Sequence, residues 1–191
     1  KVIYDAAHTF GERYKGKSVA EFGDASIFSF HATKVFNTIE GGAVSFAEEW
    51  MDHRLNCLKN YGIVDQDHVV WVGGNAKMNE FQAAMGLCNL RHLDDEIEKR
   101  KMVTERYHEN LGGVPGLKLP AYKEGLTPNY AYFPVVFDGF KADRNEVYDR
   151  LAEHNIFPRK YFYPLTNGFQ CYSDRFSPED TPVAAYMADR V

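Results

Sequence analysis

The chain has 191 residues, 45% of them hydrophobic and 15% aromatic, with a formal net charge of -5 and a pI near 5.8. That length can bury a sizeable core in one or two domains. The acidic balance, with no cluster of Lys and Arg, argues against a nucleic-acid or membrane surface as partner, because a phosphate backbone selects a basic patch.

In chain order, Val2-Ile3-Tyr4-Asp5 is an apolar run closed by an acid. Residues 2–4, 27–30 and 43–46 read as short strands among polar and glycine-rich connections, an α/β pattern. Between the second and third lie Ser29-Phe30-His31-Ala32-Thr33-Lys34 and then Glu40-Gly41-Gly42, whose glycine pair permits a tight turn into Ala43-Val44-Ser45-Phe46. A pyridoxal-phosphate site needs a lysine amine to hold an aldehyde as an imine, a carboxylate to keep the pyridine nitrogen protonated, and a hydroxyl for the phosphate. Lys34, Asp5 and Ser29 are residues of those three types. Each also has a plain reading, a solvated cation after a strand or an acid closing a turn. What favours chemistry is that Lys34 stands among Ile27, Phe28, Phe30, Val35 and Phe36, an unusual setting for an idle cation.

Cys57, Cys88 and Cys171 are widely spaced in no metal-ligand pattern, which predicts reduced thiols and no metal site. No stretch of 18 or more apolar residues is visible, and no secretory signal stands at the start, so the expectation is a cytoplasmic protein.

Residues 80–111 read as one uninterrupted helix. Asn79 with Gln82 forms a capping-box pattern, with Met78 placed to staple over it. Phe81, Met85, Cys88, Leu90, Leu93 and Ile97 recur at helical spacing and predict a buried face. The charged run 94–101 reads as a solvated face with helix-supporting ion pairs. Val114-Pro115-Gly116 and residues 125–128 mark a hinge, which divides the chain into 1–113 and a smaller domain at 114–191. There, 130–137 reads as a strand, Asp143 with Glu146 caps a helix to about Glu153, and Thr181-Pro182 opens a final helix. Residues 157–164 place Arg159 and Lys160 among four aromatics. They read either as a binding edge for a phosphorylated, stackable ligand or as an edge strand whose aromatics merely pack.

The succession D-A-A-H, S-F-H-A-T-K, E-G-G-A-V and G-G-N-A-K-M-N-E-F-Q-A-A resembles the DegT/DnrJ/EryC1/StrS family of pyridoxal-phosphate sugar aminotransferases over essentially the whole chain. The resemblance implies the α/β, aspartate-aminotransferase-like fold type I of pyridoxal-phosphate-dependent transferases. Residues 1–113 would be the C-terminal part of the large cofactor-binding domain, and 114–191 a small α+β domain incomplete at its end. Family members carry a long N-terminal stretch before D-A-A-H, so the chain reads as a fragment or as the well-determined part of a longer protein.

Carried over position by position, the resemblance makes Lys34 the imine lysine and Asp5 the partner of the pyridinium nitrogen. His8 falls where many members have a glutamine near the cofactor's phenolic oxygen. Ser29 would bind the phosphate, and Asn75 would reach the phosphate from the neighbouring subunit of a homodimer with shared sites. His31 is either a histidine near the substrate or a satisfied core histidine. Lys77 stands where typical members have Arg. Arg159, Lys160 and Tyr161 fall near the active-site mouth, where a nucleoside-diphosphate sugar would lie. The implied reaction moves an amino group from glutamate to a nucleotide-linked keto sugar, with dTDP-4-keto-6-deoxyglucose the substrate suggested, as in deoxyamino-sugar and polysaccharide biosynthesis. A dehydratase branch of the family replaces the lysine by histidine, and Lys34 argues against it. A non-catalytic regulatory or structural homologue, and an α/β domain without cofactor, are the other readings.

Overall fold

The computed structural model describes residues 1–191. It runs through β1 (Ile3–Asp5), β2 (Arg13–Tyr14), β3 (Lys17–Ser18), β4 (Ala25–Ser29), β5 (Gly42–Phe46), α1 (Trp50–Leu58), α2 (Glu80–Leu90), α3 (Leu93–Leu111), β6 (Leu117–Lys118), β7 (Leu126–Thr127), β8 (Val136–Phe137), α4 (Arg144–Glu153) and α5 (Pro182–Ala188). Two units divide these elements: Lys1–Met102 with Tyr122–Ala131, and Val103–Ala121 with Tyr132–Val191. The division falls inside α3 and returns 122–131 to the first unit, whereas the sequence placed its boundary at 113/114. No helix is long and apolar enough to cross a membrane.

In the first unit, one sheet has the order β1-β4-β5 and a second the order β3-β2-β7. β1 pairs parallel to β4, with Asp5 beside Ile27, and β4 pairs antiparallel to β5, with Ile27 beside Val44. Because side chains alternate along a strand, Asp5, Ile27, Ser29 and Val44 share one face, and Phe28 lies on the other. The Phe28 face is the packed one. Ala6, Phe28, Phe30 and Phe36 are buried there, with Phe10, Val19, Ala20 and Leu93 against them. Phe10 stacks on Phe36 at 4.5 Å between ring centroids and meets Phe30 edge-on at 5.3 Å. Burying each such ring contributes about 2–3 kcal/mol. The Asp5 face stays open and apolar, with Ile3 65% and Ile27 47% exposed.

Two helical expectations need correction. The stretch 80–111 is broken between Leu90 and Leu93, giving α2 and α3. Asp94, Asp95 and Glu96 occupy the first turn of α3, where carboxylates interact favourably with the helix dipole. The acidic run therefore suits a helix start better than a helix interior. The ion pairs are as expected, with Lys99 to Glu96 at 2.6 Å and Lys101 to Glu98 at 3.3 Å. The capping box at Asn79 and Gln82 also forms. The buried face, however, is not Phe81-Met85-Cys88-Leu90: Phe81 is 85% exposed and Leu90 47%, and Cys88 is exposed. α2 packs through Gly86 and Asn89, a quarter-turn away. Periodicity reveals that an apolar stripe exists, not which side finds a partner in this chain.

In the second unit β6 and β8 pair antiparallel, Leu117 beside Phe137. α4 begins as expected, with Asp143 accepting the Glu146 N–H at 2.9 Å. Buried Arg144 donates to the Ala188 and Val191 carbonyls at 2.8 and 2.7 Å. Only Val136–Phe137 of the predicted strand 130–137 is a strand: the partner β6 is two residues long, and Tyr130, with a left-handed φ of 54°, stands outside any extended run.

Candidate active site

The loop that carries Lys34 leaves β4 and returns in β5. The Phe30 N–H donates to the Gly41 carbonyl and the Thr38 N–H to the Phe30 carbonyl, both at 2.9 Å, which closes the loop at its neck. Phe30 and Phe36, buried in the aromatic cluster, anchor the chain on either side of Lys34. Thr38, 2% exposed, gives its hydroxyl to the Glu40 carbonyl at 2.7 Å. A Cβ at Gly41 would lie 2.2 Å from that hydroxyl, and one at Gly86 would lie 2.9 Å from the Thr38 methyl. Glycine is thus required at 41 by close approach, and α2 locks the loop from below. Asn89 adds a bond from Nδ2 to the Asn37 carbonyl at 2.9 Å. On this fixed loop Lys34 is half-buried, and its amine has neither a hydrogen bond nor a salt bridge.

Asp5 closes β1, and its Oδ1 accepts the Ala7 N–H at 3.1 Å, an Asx turn that leaves the other carboxylate oxygen open. The turn presents His8, half-buried. Burial, then the positive charge of Lys34, hold the His8 imidazole below the ordinary histidine range, and the negative charge of Asp5 partly offsets them. The charges of Lys34 and Asp5 thus both act on His8, and a neutral His8 has one nitrogen to donate and one to accept.

Ser29 ends β4 on the face shared with Asp5, and its Oγ accepts the His31 N–H at 3.4 Å. His31 Nδ1 accepts the Thr33 N–H at 3.2 Å and lies 2.8 Å from the Thr33 hydroxyl. In the neutral ring the proton consequently sits on Nε2, which faces Glu40 Oε1 at 3.5 Å. The His31 side chain is 46% exposed, so it is not a core histidine. An unpartnered amine, a carboxylate with an open oxygen, a neutral imidazole and a strand-end hydroxyl are a donor set of the kind pyridoxal phosphate requires.

Asn75 and Lys77 lie in a separate loop after α1. Asn75 bridges to Asn60, the Tyr61 N–H donates to the Gly74 carbonyl at 2.9 Å, and Lys77 Nζ donates to Asn60 Oδ1 at 2.8 Å while resting 4.4 Å from the Tyr61 ring centre. Gly62 is the loop's tightest point. With φ at 78°, a Cβ there would lie 1.7 Å from the Trp71 carbonyl oxygen. Gly62→Ala in the intact protein is expected to cost about 2–4 kcal/mol in urea unfolding, and a loss below about 0.5 kcal/mol would mean that the loop yields without strain.

Arg159, Lys160 and Tyr161 belong to the second unit, where they line a cavity of about 660 Å³ with Tyr132, Val147 and Tyr148. Lys160 Nζ donates to Asn145 Oδ1 at 2.7 Å and sits 4.7 Å from the Tyr148 ring centre. Tyr161 stacks on Phe162 at 3.9 Å, and burial, then its bond with Tyr132, raise its phenol above the ordinary tyrosine range. Residues 157–164 form no strand, so the edge-strand alternative fails, although the aromatics do pack.

The sequence reading passed over three residues that organise the site: Thr38, Glu40 as the neighbour of His31, and Asn129. Thr38 carries no local signal. Asn129 carries one, a lone amide in the aromatic and apolar run Pro128-Asn129-Tyr130-Ala131-Tyr132-Phe133.

The family described as the DegT/DnrJ/EryC1/StrS aminotransferase family matches residues 1–191. A dTDP-4-amino-4,6-dideoxy-D-glucose transaminase from Shigella dysenteriae is 38% identical over 192 residues, covering 100% of this chain and 52% of that protein. The protein of the same name from Escherichia coli is 38% identical over 197 residues, covering 100% of this chain and 53% of its own. The chain thus spans about half the length of these curated relatives. Among solved structures, S. venezuelae DesV in complex with a ketimine intermediate superposes with a TM-score of 0.89 at 27% identity, covering 98% of this chain and 50% of that one. DesI in the presence of its TDP-sugar product gives 0.88 at 31% identity, covering 98% and 48%. The fold is that of these aminotransferases.

Proposed function

This chain belongs to the DegT/DnrJ/EryC1/StrS aminotransferase family, and we propose that it carries the lysine-bearing part of a pyridoxal-phosphate-dependent enzyme that moves an amino group from glutamate to a nucleotide-linked keto sugar. The observation that carries the reading is that Asp5 and Ser29 share one face of the sheet whose loop bears Lys34, with His8, directly after the Asp5–Ala7 turn, near enough for the charges of both Lys34 and Asp5 to act on it.

Each residue then has a definable task. The Lys34 amine, without a competing partner, would hold the cofactor and would be the base that takes a proton from the substrate carbon. The open carboxylate oxygen of Asp5 would keep the cofactor's ring nitrogen protonated. Neutral His8 would give a hydrogen bond without adding positive charge beside Lys34. Ser29 Oγ would donate to the phosphate while accepting the His31 N–H. Bound pyridoxal phosphate supplies the electron-withdrawing ring that stabilises negative charge at that carbon. His31, with its proton on Nε2, and Lys77 are donors for the substrate.

The relatives at 38% identity support dTDP-4-keto-6-deoxyglucose as the sugar, and Arg159, Lys160 and Tyr161 are the proposed contacts of its nucleotide part. The test is the intact protein with pyridoxal phosphate. It should develop a visible absorption band that glutamate bleaches, and then convert a nucleotide keto sugar into an amino sugar detected by mass. A protein that binds no cofactor, or whose band glutamate leaves unchanged, would sink the reading.

Asn75 is proposed to serve the neighbouring subunit of a homodimer, since it is exposed in its loop directly after the glycine pair Gly73-Gly74. Mixing Asn75→Asp with Lys34→Ala subunits is then expected to restore activity to about a quarter of the wild-type level on random exchange. In the mixed dimer one site carries both lesions and the other neither. No recovery despite demonstrated exchange would place Asn75 in its own subunit's site or outside any site.

A further inference from the structure

Asn129 is 1% exposed and heads the largest fully buried side chains of the chain. Its Nδ2 donates to the His8 carbonyl at 2.7 Å and to the Phe10 carbonyl at 3.0 Å, and its Oδ1 accepts the Ala131 N–H at 3.0 Å. Its own N–H donates to Glu12 Oε1 at 3.3 Å, and burial raises the Glu12 carboxyl above the ordinary glutamate range. One residue therefore ties down three stations of the segment 8–12 from the far side of the sequence. Local bonds alone hold that segment thinly, with the Thr9 N–H on the Ala6 carbonyl at 3.1 Å and the Glu12 N–H on the Thr9 carbonyl at 2.9 Å. Both amide hydrogens of Asn129 go to carbonyls that the turn itself does not satisfy, which is how a buried amide avoids the cost of an unmade bond.

We propose that Asn129 is a positioning residue for the active site, clasping the 8–10 backbone so that the His8 imidazole stays beside Lys34 and Asp5. The inference rests on the reading of His8 as a residue that contacts the cofactor. A purely structural asparagine would destabilise the fold without regard to His8. A positioning residue acts through it, and a double-mutant cycle separates the two.

The measurement is the dissociation constant of pyridoxal 5'-phosphate for the intact protein, by absorbance titration of wild type, His8→Ala, Asn129→Ala and the double variant, each with its melting temperature. Asn129→Ala is expected to weaken cofactor binding roughly tenfold in the wild-type background and by less than about twofold when His8 is already alanine. Equal losses in both backgrounds, no loss from Asn129→Ala, or no loss from His8→Ala each overturn the proposal while leaving the proposed function intact. Wild type that binds no cofactor overturns both. If Asn129→Ala does not fold, Asn129→Ser keeps an oxygen for the Ala131 N–H and lacks the two donors, so it takes its place in the cycle. Amide exchange in wild type gives a reading free of any variant: slow exchange at Asn129 and Ala131, whose N–H groups bond to Glu12 Oε1 and Asn129 Oδ1, supports the clasp, and unprotected rates there refute it.

Discussion

Lys34→Ala in the intact, cofactor-supplied protein is expected to lower transamination by a factor of about 10⁴ or more, because the change removes the nucleophile and the base together. Folding should be spared. The Lys34 amine makes no bond to lose, and the loop is held by Phe30, Phe36, Thr38 and the α2 contacts rather than by the lysine. In the wild type, borohydride should fix the cofactor covalently to a single peptide, the one containing residues 31–36, and the variant should take up no label. Of the 22 Lys and Arg residues, only Lys34 has a serine five before it and Glu-Gly-Gly after it, so a label on another lysine would be unambiguous. That result, or normal turnover in Lys34→Ala, would remove the site from this loop.

Asp5→Asn should slow the reaction by about 10³-fold with little effect on stability. An amide keeps an oxygen to accept the Ala7 N–H, now made at 3.1 Å, so the turn into His8 survives. What it loses is the negative charge that keeps a ring nitrogen protonated, and with it the ring's ability to draw electrons from the substrate carbon. Steady-state kinetics of the purified variant beside its melting curve would separate the two effects. Turnover within about twofold of wild type would take Asp5 out of the chemistry, whereas equal losses of stability and activity would assign it to the turn alone.

The extent to which the site was legible follows the range of the forces that build it. Asp5, Ser29 and Lys34 stand at strand ends or on the loop between strands, and their types and order already pointed to the chemistry. Local rules also located the Asn79 and Asp143 caps, since a cap is settled by residues three apart. Local rules failed where a distant partner intervened. The apolar stripe at Phe81, Met85 and Cys88 predicted burial, but α2 meets the Lys34 loop through Gly86 and Asn89 because the Thr38 methyl fits only where no Cβ stands. The predicted strand at 130–137 is cut to Val136–Phe137 because only the two-residue β6 pairs with it, and at its start Asn129 turns its amide to the His8 and Phe10 carbonyls and Tyr130 follows in a left-handed conformation.

By itself, the sequence determined the residue types proposed for the chemistry, the positions of β1, β4 and β5, the starts of α2, α4 and α5, and which family the motifs resemble. Those features depend on residue type and short spacing, and neighbours in the chain enforce them. Only the tertiary structure decided that Lys34 sits on a locked loop with an unpartnered amine. It also decided that Asp5 and Ser29 share a sheet face, that His31 has its proton on Nε2, and that Asn129 braces the turn bearing His8. These depend on strand register, on van der Waals fit to within a few tenths of an ångström and on hydrogen bonds between residues more than a hundred positions apart. Such contacts exist only once the chain has paid the entropy of closing those loops.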